Sequence, residues 1–464
     1  MRVLLVSLFH PELVRGGSQQ VCYELFQGLR EQGVQTTLLA SADHSLPALY
    51  KSGARITGFD RRPDQYLFLG RNYDYSWHKL SDPLLIESYV EFLRLIEPDV
   101  VHFHHFLTLG IDLLTITRKA LPRARIVFTF HEFLAICFAD GQMVRKFDHS
   151  ICSEASSVRC HQCFPELTPE FFFARELWMK RHFEAVDVFT TPSRFMIDHY
   201  IKWGIAADRI RHVPNGQADY SAGVTPQQPR TKRNRFGFFG QFVDNKGVHV
   251  ILDAVELLRA QGFTDFLVEL NGDNLRYASA NRRERIELFF EREQQRPSAE
   301  QNVVMNGSYH IDQLESRMAR VDWCIVPSVW PEVFGLVISE AWMFKHPVIA
   351  SNVGAMKERI TDGVDGLHFN VGDARSLAEV MRRACTERGL WQKLVDGIKP
   401  PLNRQQMTQM FDALYREQID QLPTIAPDDV QPIVPKARRR RKVTVRDLGQ
   451  PKVIEKPEVV EECA

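Results

Sequence analysis

The stretch "PEVFGLVISEAW", residues 331–342, carries two glutamates, Glu332 and Glu340, in an otherwise apolar segment. In one continuous helix the two acids would lie about 80° apart, since eight residues turn through roughly 800°. Pro331 and Gly335 argue against one helix, because proline fits poorly inside a helix and glycine marks a break. We therefore predict a loop, then a helix that begins near Gly335, with Glu340 about one turn inside it. The free N–H groups at such a helix mouth attract an anion.

Strand-like and helix-like patterns alternate on both sides of this segment. The first set of predicted strands covers residues 2–8, 34–40, 99–106, 125–132, 187–193 and 210–216. The second set covers residues 235–240, 266–272, 302–308, 322–328, 346–352 and 366–371. Amphipathic helical patterns lie between the strands, which is typical of parallel sheets with helical crossovers.

The two sets predict an α/β protein with two doubly wound, Rossmann-like domains that face a cleft. We place the first domain at 1–216, a polar linker rich in Pro and Gln at 217–234, and the second domain at 235–422. Residues 423–464 change to Pro, Val, Lys and Glu without period and predict a disordered tail. Ligands of doubly wound sheets bind at the carboxyl ends of the strands, where Glu332 falls.

Composition excludes several classes of protein. The 464 residues are 44% hydrophobic, enough for two cores, and the formal net charge of zero gives no field for nucleic acid. The N-terminal residues 1–17 read as a first strand, since they lack the features of a signal peptide. No apolar run reaches the 18 or so residues of a spanning helix, so membrane contact would be peripheral. We expect a cytoplasmic protein, peripheral to the inner face of the membrane. The basic run 436–442 is either a solvated tail without a role or a contact for an acidic membrane surface or nucleic acid, and the first interpretation is favoured.

Several strand-to-helix turns carry polar or small residues. Gly16 and Gly17 open the first helix, where they let a ligand approach the backbone or form a plain tight turn; G-x-G-x-x-G is absent, which disfavours a dinucleotide site. Lys246, in "GQFVDNKG" at 240–247, can reach a phosphate from its turn, although alone it would be a surface lysine. His131 ends a predicted strand and is either a cleft residue or a packed core histidine.

These motifs resemble the retaining glycosyltransferases of family 4. The resemblance rests on "PEVFGLVISEA", "GQFVDNKG", "VPNG" and "VGAMKE", covers residues 1 to about 420, and implies the two-domain GT-B fold. It implies that Glu332 and His131 lie near the transferred sugar as catalytic residues and that Lys246 neutralises the leaving diphosphate. The donor-binding residues that it implies are Gly16, Gly17, Gln241, Lys246, Phe334, Gly335, Leu336 and Glu340. Among them, the Phe334, Gly335 and Leu336 backbone meets the diphosphate, and Glu340 holds the ribose hydroxyls.

One residue departs from the family pattern. Gln241 stands where the family usually has arginine, so half of a cationic clamp is missing. Charge-assisted hydrogen bonds contribute roughly 1.5–3 kcal/mol each, so either Arg235 or another basic residue compensates, or phosphate stabilisation is weaker. D-x-D is absent from the sequence, so we expect no metal clamp and no cofactor requirement for catalysis. Paired acids are also typical of hydrolases that use two carboxylates. The placement of Glu332 and Glu340 at a strand-to-helix turn argues against a hydrolase.

The resulting hypothesis is a retaining hexosyl-type glycosyltransferase. It would move a sugar from a nucleoside-diphosphate sugar to a glycan or lipid-linked acceptor, as in cell-surface polysaccharide or lipopolysaccharide biosynthesis. The identity of any catalytic base stays open. Two alternatives also stay open, a sugar-nucleotide epimerase on the same fold and a catalytically silent glycan-binding protein.

Four cysteines fall in a predicted insertion, residues 133–166. Cys160 and Cys163 have the two-residue spacing with which both thiolates reach one tetrahedral metal, and Cys137 and Cys152 would complete a four-thiolate site. The outer spacings are not those of a standard finger. The alternatives are therefore a structural zinc, an iron–sulfur cluster, disulfides, or unpaired thiols.

Overall fold

The computed structural model describes residues 1–42, 53–70, 72–221 and 230–417. The predicted tail, its basic run and the middle of the predicted linker lie outside the described residues. In the described part, no helix is long and apolar enough to cross a membrane.

The first part of the chain forms one large sheet and a short antiparallel hairpin. The strands are β1 (Arg2–Ser7), β2 (Gln35–Ser41), β3 (Ile56–Gly58), β4 (Gln65–Phe68), β5 (Tyr73–Asp74), β6 (Lys79–Leu80), β7 (Val100–Phe103), β8 (Arg125–Thr129), β9 (Val188–Thr191) and β10 (Ile210–His212). The sheet order is β10-β9-β8-β7-β1-β2-β4-β3, and its strands are parallel except for the antiparallel β3–β4 pair. The hairpin is β5–β6. Because β1 has β2 on one side and β7 on the other, the strand order reverses between β1 and β7, and a crevice opens there.

Helices cover this sheet and carry ordinary start and stop signals. They are α1 (Gly17–Glu31), α2 (Pro83–Ile96), α3 (Asp112–Ala120), α4 (Ser157–Cys163), α5 (Pro169–Phe183) and α6 (Arg194–Trp203). At the start of α5, the Thr168 side chain accepts from the Phe171 amide and Pro169 occupies the first turn, a favoured start. Gly33, just after α1, has φ 77°, which suits glycine at a helix end.

The second part forms an all-parallel sheet. Its strands are β11 (Arg235–Phe239), β12 (Leu267–Asn271), β13 (Val303–Gly307), β14 (Trp323–Val326), β15 (Val348–Ser351) and β16 (Gly366–Phe369), in the order β13-β12-β11-β14-β15-β16. Its helices are α7 (Val248–Ala260), α8 (Ala280–Gln294), α9 (Leu314–Met318), α10 (Leu336–Met343), α11 (Gly354–Arg359), α12 (Ala374–Thr386) and α13 (Leu390–Gly397). Here the order reverses between β11 and β14.

The last described helix, α14 (Arg404–Arg416), returns to the first sheet. Its Met407, Phe411 and Tyr415 side chains are buried in one apolar cluster with Val21 of α1. Arg404 also forms an ion pair with the buried Glu24 of α1, with 2.6 Å between Nε and Oε2. The sequence places this helix in the predicted second domain, whereas its side chains contribute to the core of the first.

The α/β class and the two doubly wound sheets confirm the predicted fold. Each long predicted strand is present. All except β2, which extends one residue beyond its predicted end, stop one to four residues before the predicted carboxyl end. The sequence analysis missed β3 to β6, which are two to four residues long and therefore too short to show a period.

Candidate active site

The carboxyl edge of the second sheet brings two predicted site residues together. Lys246 lies in the turn after β11, and Glu332 lies in the loop after β14, on the two sides of the point where the strand order reverses. Lys246 Nζ lies 2.5 Å from Glu332 Oε1. The topology of the sheet, rather than proximity in sequence, creates this pair.

Glu332 is buried and fully partnered at one oxygen. Besides Lys246, the Ser328 hydroxyl donates to Oε1 at 2.8 Å and the Trp330 indole N–H donates at 3.0 Å. Burial alone would raise the pKa of Glu332, but the Lys246 ammonium and these donors outweigh burial and hold the pKa below its usual value. Glu332 is therefore a carboxylate at neutral pH, set beside a cation.

The loop that carries Glu332 is fixed by close backbone contact with α11. The Ala355 amide donates to the Glu332 carbonyl at 2.7 Å. Gly354 has φ 58°, and a side chain there would come within 2.8 Å of the Pro331 backbone. The glycine of the predicted turn "SNVGAMKE" is therefore required by this close approach.

The predicted helix mouth is present. Gly335 precedes α10 with φ 75° and ψ 76°, so the chain turns sharply and the first amides of α10 have no intrahelical partner. Arg359 lies behind this turn, donating to the Phe334 carbonyl at 2.9 Å and the Gly335 carbonyl at 2.8 Å. It also donates to the Ser339 hydroxyl at 2.7 Å, and its guanidinium lies 3.8 Å from the Phe334 ring centroid.

Arg359 holds this turn in one orientation. Burial lowers its pKa to about 9, so the side chain is still a cation at neutral pH. Because both carbonyls of the turn face Arg359, we infer that it fixes the peptide planes at the mouth of α10. The sequence analysis missed this residue, since an arginine that ends a short helix looks like a surface residue.

Glu340 lies one turn inside α10 and is half-buried. Gln217 Nε2 donates to its Oε1 at 3.2 Å. Burial raises the pKa of Glu340, partly opposed by this hydrogen bond and by the charge of Arg15. Arg15 itself donates to the Tyr309 carbonyl at 3.0 Å, which joins the loop after β1 to the turn after β13.

The structure separates Gln241 from one of its suggested substitutes. Gln241 is exposed in the loop after β11. Arg235 begins β11, so it lies at the amino end of the strand, roughly 13 Å from the carboxyl end at five residues' length. Compensation by Arg235 is therefore wrong. Arg15, on the other face of the cleft, is the basic residue that approaches Glu340.

The two glycines after β1 face this site differently. A side chain at Gly17 would first meet the Leu336 side chain, at 3.6 Å, so the start of α1 lies against the start of α10. Gly16 has φ −168°, an extended conformation that any residue can adopt. Glu358 of α11 also accepts from the Arg194 and Phe195 amides at the start of α6, which ties the two faces together.

His131 lies in a row of buried histidines at the carboxyl edge of the first sheet. Its Nε2 lies 3.0 Å from His104 Nδ1, and their rings are stacked. Burial lowers the pKa of His131 well below its ordinary value, and the neighbouring histidines add to this shift, so the ring is neutral. His102 is a packed core residue, bonded to Tyr415 and Thr129 at 2.6 Å each.

Comparison with known proteins now identifies the family. The family profile described as Glycosyltransferase Family 4 matches residues 15–217, and the profile described as Glycosyl transferases group 1 matches residues 233–387. The chain is a family 4 glycosyltransferase. An uncharacterised glycosyltransferase of Methanocaldococcus jannaschii is 30% identical over 189 residues, 35% of this chain and 46% of its own length.

Two further relatives of this glycosyltransferase match about a third and most of the chain, respectively. An uncharacterised 41.2 kDa protein in the cps region of Klebsiella pneumoniae is 31% identical over 144 residues, 31% of this chain and 35% of its own length. The match thus spans less than half the length of each of these two relatives. The glycogen synthase of Mycobacterium tuberculosis is 22% identical over 89% of this chain and 91% of its own length.

Solved structures share the fold. Anabaena HepE in complex with UDP has a TM-score of 0.61 at 16% identity, covering 89% of this chain and 99% of its own. A glycosyltransferase of Rickettsia africae has a TM-score of 0.62 at 17% identity, covering 91% and 99%. The two doubly wound sheets of this glycosyltransferase therefore form the predicted GT-B fold.

The four cysteines of the glycosyltransferase come near one another without forming a metal site. Cys137, Cys152, Cys160 and Cys163 are free thiols that line one cavity of about 20 Å³. Within the described ranges, no three His, Cys, Asp or Glu side chains are grouped closely enough to hold a metal ion. Burial raises the pKa of Cys137 to about 11 and of Cys160 to about 12, so both are protonated as they stand. The four-thiolate site is not formed in this geometry and stays a prediction.

Proposed function

We propose that this glycosyltransferase transfers a hexose from a nucleoside-diphosphate sugar to a hydroxyl of a glycan or lipid-linked acceptor, with retention of the anomeric configuration. The Lys246–Glu332 pair beside the mouth of α10 carries the proposal. It offers a cation and free backbone amides to an anion, and a carboxylate to the sugar next to it.

The diphosphate is the part of the donor that needs this arrangement. Cleavage of the anomeric C–O bond leaves negative charge on the diphosphate, and fixed donors aimed at that charge lower the barrier. Lys246, the Gly335 and Leu336 amides and the nearby Arg15 supply such donors, with Gln241 contributing an uncharged hydrogen bond. Arg359 fixes the Phe334–Gly335 turn so that the amides need no reorganisation when the donor binds.

The nucleoside would lie against Glu340. A half-buried carboxylate one turn into α10, held by Gln217, can accept from the two ribose hydroxyls. HepE has been solved with UDP-glucose, which supports a uridine nucleotide and a hexose as the first donor to try. Gly16 and Gly17 would bring the backbone close to the phosphates, with Gln19 filling the space beside Gly16 and Leu336 lying 3.6 Å from a side chain at Gly17.

On the other side of the donor, the sugar would lie between Glu332 and His131. The carboxylate of Glu332 can stabilise an oxocarbenium-like sugar, and the neutral His131 ring can accept or donate one hydrogen bond to a sugar hydroxyl. We assign no catalytic base. Same-face transfer follows from the family resemblance and is part of the proposal.

The setting of the reaction is proposed with the activity. The relative in the cps region supports a role in cell-surface polysaccharide biosynthesis. We propose a cytoplasmic enzyme, peripheral to the membrane, with the domain boundaries given above and one structural zinc held by the four cysteines. For the zinc, the support is the shared cavity and the two-residue spacing.

The experiment is a donor screen with product analysis. The full chain is incubated with UDP-, ADP-, GDP- and dTDP-hexoses, with and without simple glycosides, and nucleoside diphosphate release and new glycosides are measured by mass spectrometry. We expect release from one donor class and a glycoside of retained configuration by NMR. Conversion of one sugar nucleotide to another without release would indicate the epimerase, and binding without release would indicate the silent protein.

A further inference from the structure

A cavity of about 280 Å³ opens at the carboxyl edge of the first sheet, and the donor-site residues do not line it. Its wall includes Glu132, the next residue after His131, and His105, which follows β7. Tyr75 and Ser76, from the turn between β5 and β6, form another part, and Phe138 and Asp140 close it. The cavity therefore adjoins the position proposed for the transferred sugar.

The wall is rigid because a buried arginine ties its segments together. Arg175 of α5 donates to the Ser76 carbonyl at 3.1 Å, the Ala135 carbonyl at 3.0 Å and the Leu134 carbonyl at 2.8 Å. These bonds join the β5–β6 turn to the segment after β8. Because Arg175 is used in this way, its charge lies behind the wall.

Glu132 is a half-buried acid that lines this space and has few partners. The Leu134 amide donates to Oε2, and His105 Nε2 lies 3.7 Å from Oε1. His105 Nδ1 accepts from the Phe106 and Leu107 amides, so its proton resides on Nε2, toward Glu132. Gly141, with φ 69°, lies over the carboxyl: a side chain there would come within 2.6 Å of Oε2.

The charges at this cavity differ from those of a phosphate site. Burial raises the pKa of Glu132 to about 8, only partly opposed by Arg175, and burial lowers the pKa of His105 to about 4. At neutral pH the cavity therefore offers a neutral carboxylic acid and a neutral imidazole, while Asp140 is exposed at the mouth. A neutral carboxyl can donate one hydrogen bond and accept another, as a sugar hydroxyl does.

We propose that this cavity binds the terminal sugar ring of the acceptor, that this ring is uncharged, and that Glu132 recognises its hydroxyls while Tyr75 packs against its face. This deepens the proposed function and rests on it. Tyr75 lines the cavity and is 61% exposed, so its ring is accessible to a ligand there. Its ring offers an apolar face to the C–H side of a pyranose.

Size and charge argue for one neutral ring. The cavity lies at the small end of the roughly 300–1,000 Å³ typical of small-molecule sites, which suits a single sugar better than an acyl chain. A phosphate or uronate would meet Glu132 and Asp140 with no cation in the lining. The lipid or the rest of the glycan would then lie outside the cavity.

The test is saturation-transfer NMR on the full chain without donor. The probes are methyl glucoside, methyl galactoside and methyl mannoside, with methyl glucuronide and glucose 6-phosphate as charged counterparts. The variants are Glu132→Ala and Tyr75→Ala, and Glu87→Ala, an exposed acid on α2, is the matched control. Tyr75→Ala changes an exposed residue, so it remains informative if Glu132→Ala fails to fold.

We expect at least one neutral methyl hexoside to bind, with the charged probes binding more weakly. Glu132→Ala should weaken this binding by roughly 2–10-fold, the effect of losing a hydrogen bond between neutral groups of about 0.5–1.5 kcal/mol. Tyr75→Ala should weaken it by roughly 2–10-fold, whereas Glu87→Ala should leave it unchanged. Preference for a charged probe, or equal binding by all variants, would overturn the proposal. Failure here with nucleotide release intact in the donor screen rejects the acceptor cavity alone, whereas absence of release from every donor rejects the proposed function.

Discussion

The two faces of the cleft each carry a glutamate after a parallel strand, in opposite electrostatic surroundings. Glu332, after β14, lies beside Lys246, and its pKa is held below the ordinary value. Glu132, after β8, has no cation in contact, and burial raises its pKa to about 8. Two residues of the same type therefore have different charges at neutral pH.

The difference indicates what each face is built to bind. At the second sheet, Lys246 neutralises Glu332, and the free amides at the start of α10 lie nearby. This arrangement suits a ligand that carries or develops negative charge. The first sheet keeps its acid neutral among neutral histidines, which suits hydroxyl groups. A transferase needs both, an anionic leaving group on one side and a neutral nucleophile on the other.

Among the proposed variants, removal of Lys246 should cause the largest loss of stability and of donor cleavage. Lys246→Ala leaves the Glu332 carboxylate buried without its cation, which costs about 3–5 kcal/mol of stability in comparable pairs. Loss of one donor to the developing diphosphate charge should also slow donor cleavage by ~10²–10³-fold. Nucleotide release assays and urea unfolding measure the two effects. Lys202→Ala, at an exposed position on α6, is the control, and equal loss in both variants would deny Lys246 a special role.

A substitution of Arg359 should affect donor binding at the second sheet without affecting the cavity at the first sheet. Arg359→Lys keeps the charge but loses the planar fork that reaches two carbonyls and Ser339. We expect the donor KM to rise roughly tenfold, as a hydrogen bond of about 1–1.5 kcal/mol is lost at the turn, while methyl hexoside binding on the other face is unchanged. A drop in hexoside binding of the same size would point to general loosening of the fold instead.

The two acids should also have opposite pH windows. Glu132 keeps a proton in the folded state between about pH 4.5 and 8 that the unfolded chain has lost. Its contribution therefore lowers stability as pH rises through that window, by roughly 1.4 kcal/mol per pH unit at most. Glu332 has a depressed pKa, so its contribution is present above about pH 4.5 and is lost as pH falls below.

Unfolding curves across pH test this contrast. Glu132→Gln, which replaces the neutral acid with a neutral amide, should flatten the stability profile between pH 5 and 8 relative to wild type. The titratable groups nearest Glu132 are His105, Arg175 and Tyr200. None of them changes charge between pH 5 and 8, because His105 stays neutral, Arg175 stays a cation and Tyr200 keeps its proton. A profile that keeps its slope in the variant would place the titration elsewhere.

Substitutions in the cysteine cavity should have the smallest effect on sugar transfer. We expect about one zinc per chain in purified protein, with the four sulfurs drawn inward around the cavity. Cys160→Ser should release the metal and lower stability with little change in donor KM, because the donor face lies on the other sheet. Less than stoichiometric metal by elemental analysis would leave the cysteines as the half-buried free thiols that the structure shows.

Much of the fold and of the donor face could be predicted from the sequence. The long strands have clear periods, and the Pro331-to-Gly335 interval places the start of α10 correctly because backbone requirements of proline and glycine are local. The Glu332 and Glu340 positions follow from that start. Local sequence patterns could not predict the Lys246–Glu332 ion pair. The pair forms because β11 and β14 are adjacent in the sheet, although they are far apart in sequence.

The missed residues share a physical cause. Arg359 and Arg175 act through several backbone carbonyls from distant segments, and no spacing in sequence reports such contacts. Glu132 was visible beside His131, but its unusual neutrality arises from burial by the β5–β6 turn and the cysteine insertion, which the sequence does not place. The position of helix α14 also depends on long-range contacts, since its Met407, Phe411 and Tyr415 side chains pack with residues of α1 and the first sheet.

The most direct test of the account is nucleotide binding by Glu340→Ala, measured by calorimetry with the nucleoside diphosphate that the donor screen returns. Glu287→Ala, an exposed acid on α8, is the matched control. We predict that Glu340→Ala binds the nucleotide roughly 10–100-fold more weakly and loses transfer with it, while the control matches wild type. Unchanged nucleotide affinity and unchanged sugar transfer in Glu340→Ala would contradict the placement of the donor at the mouth of α10.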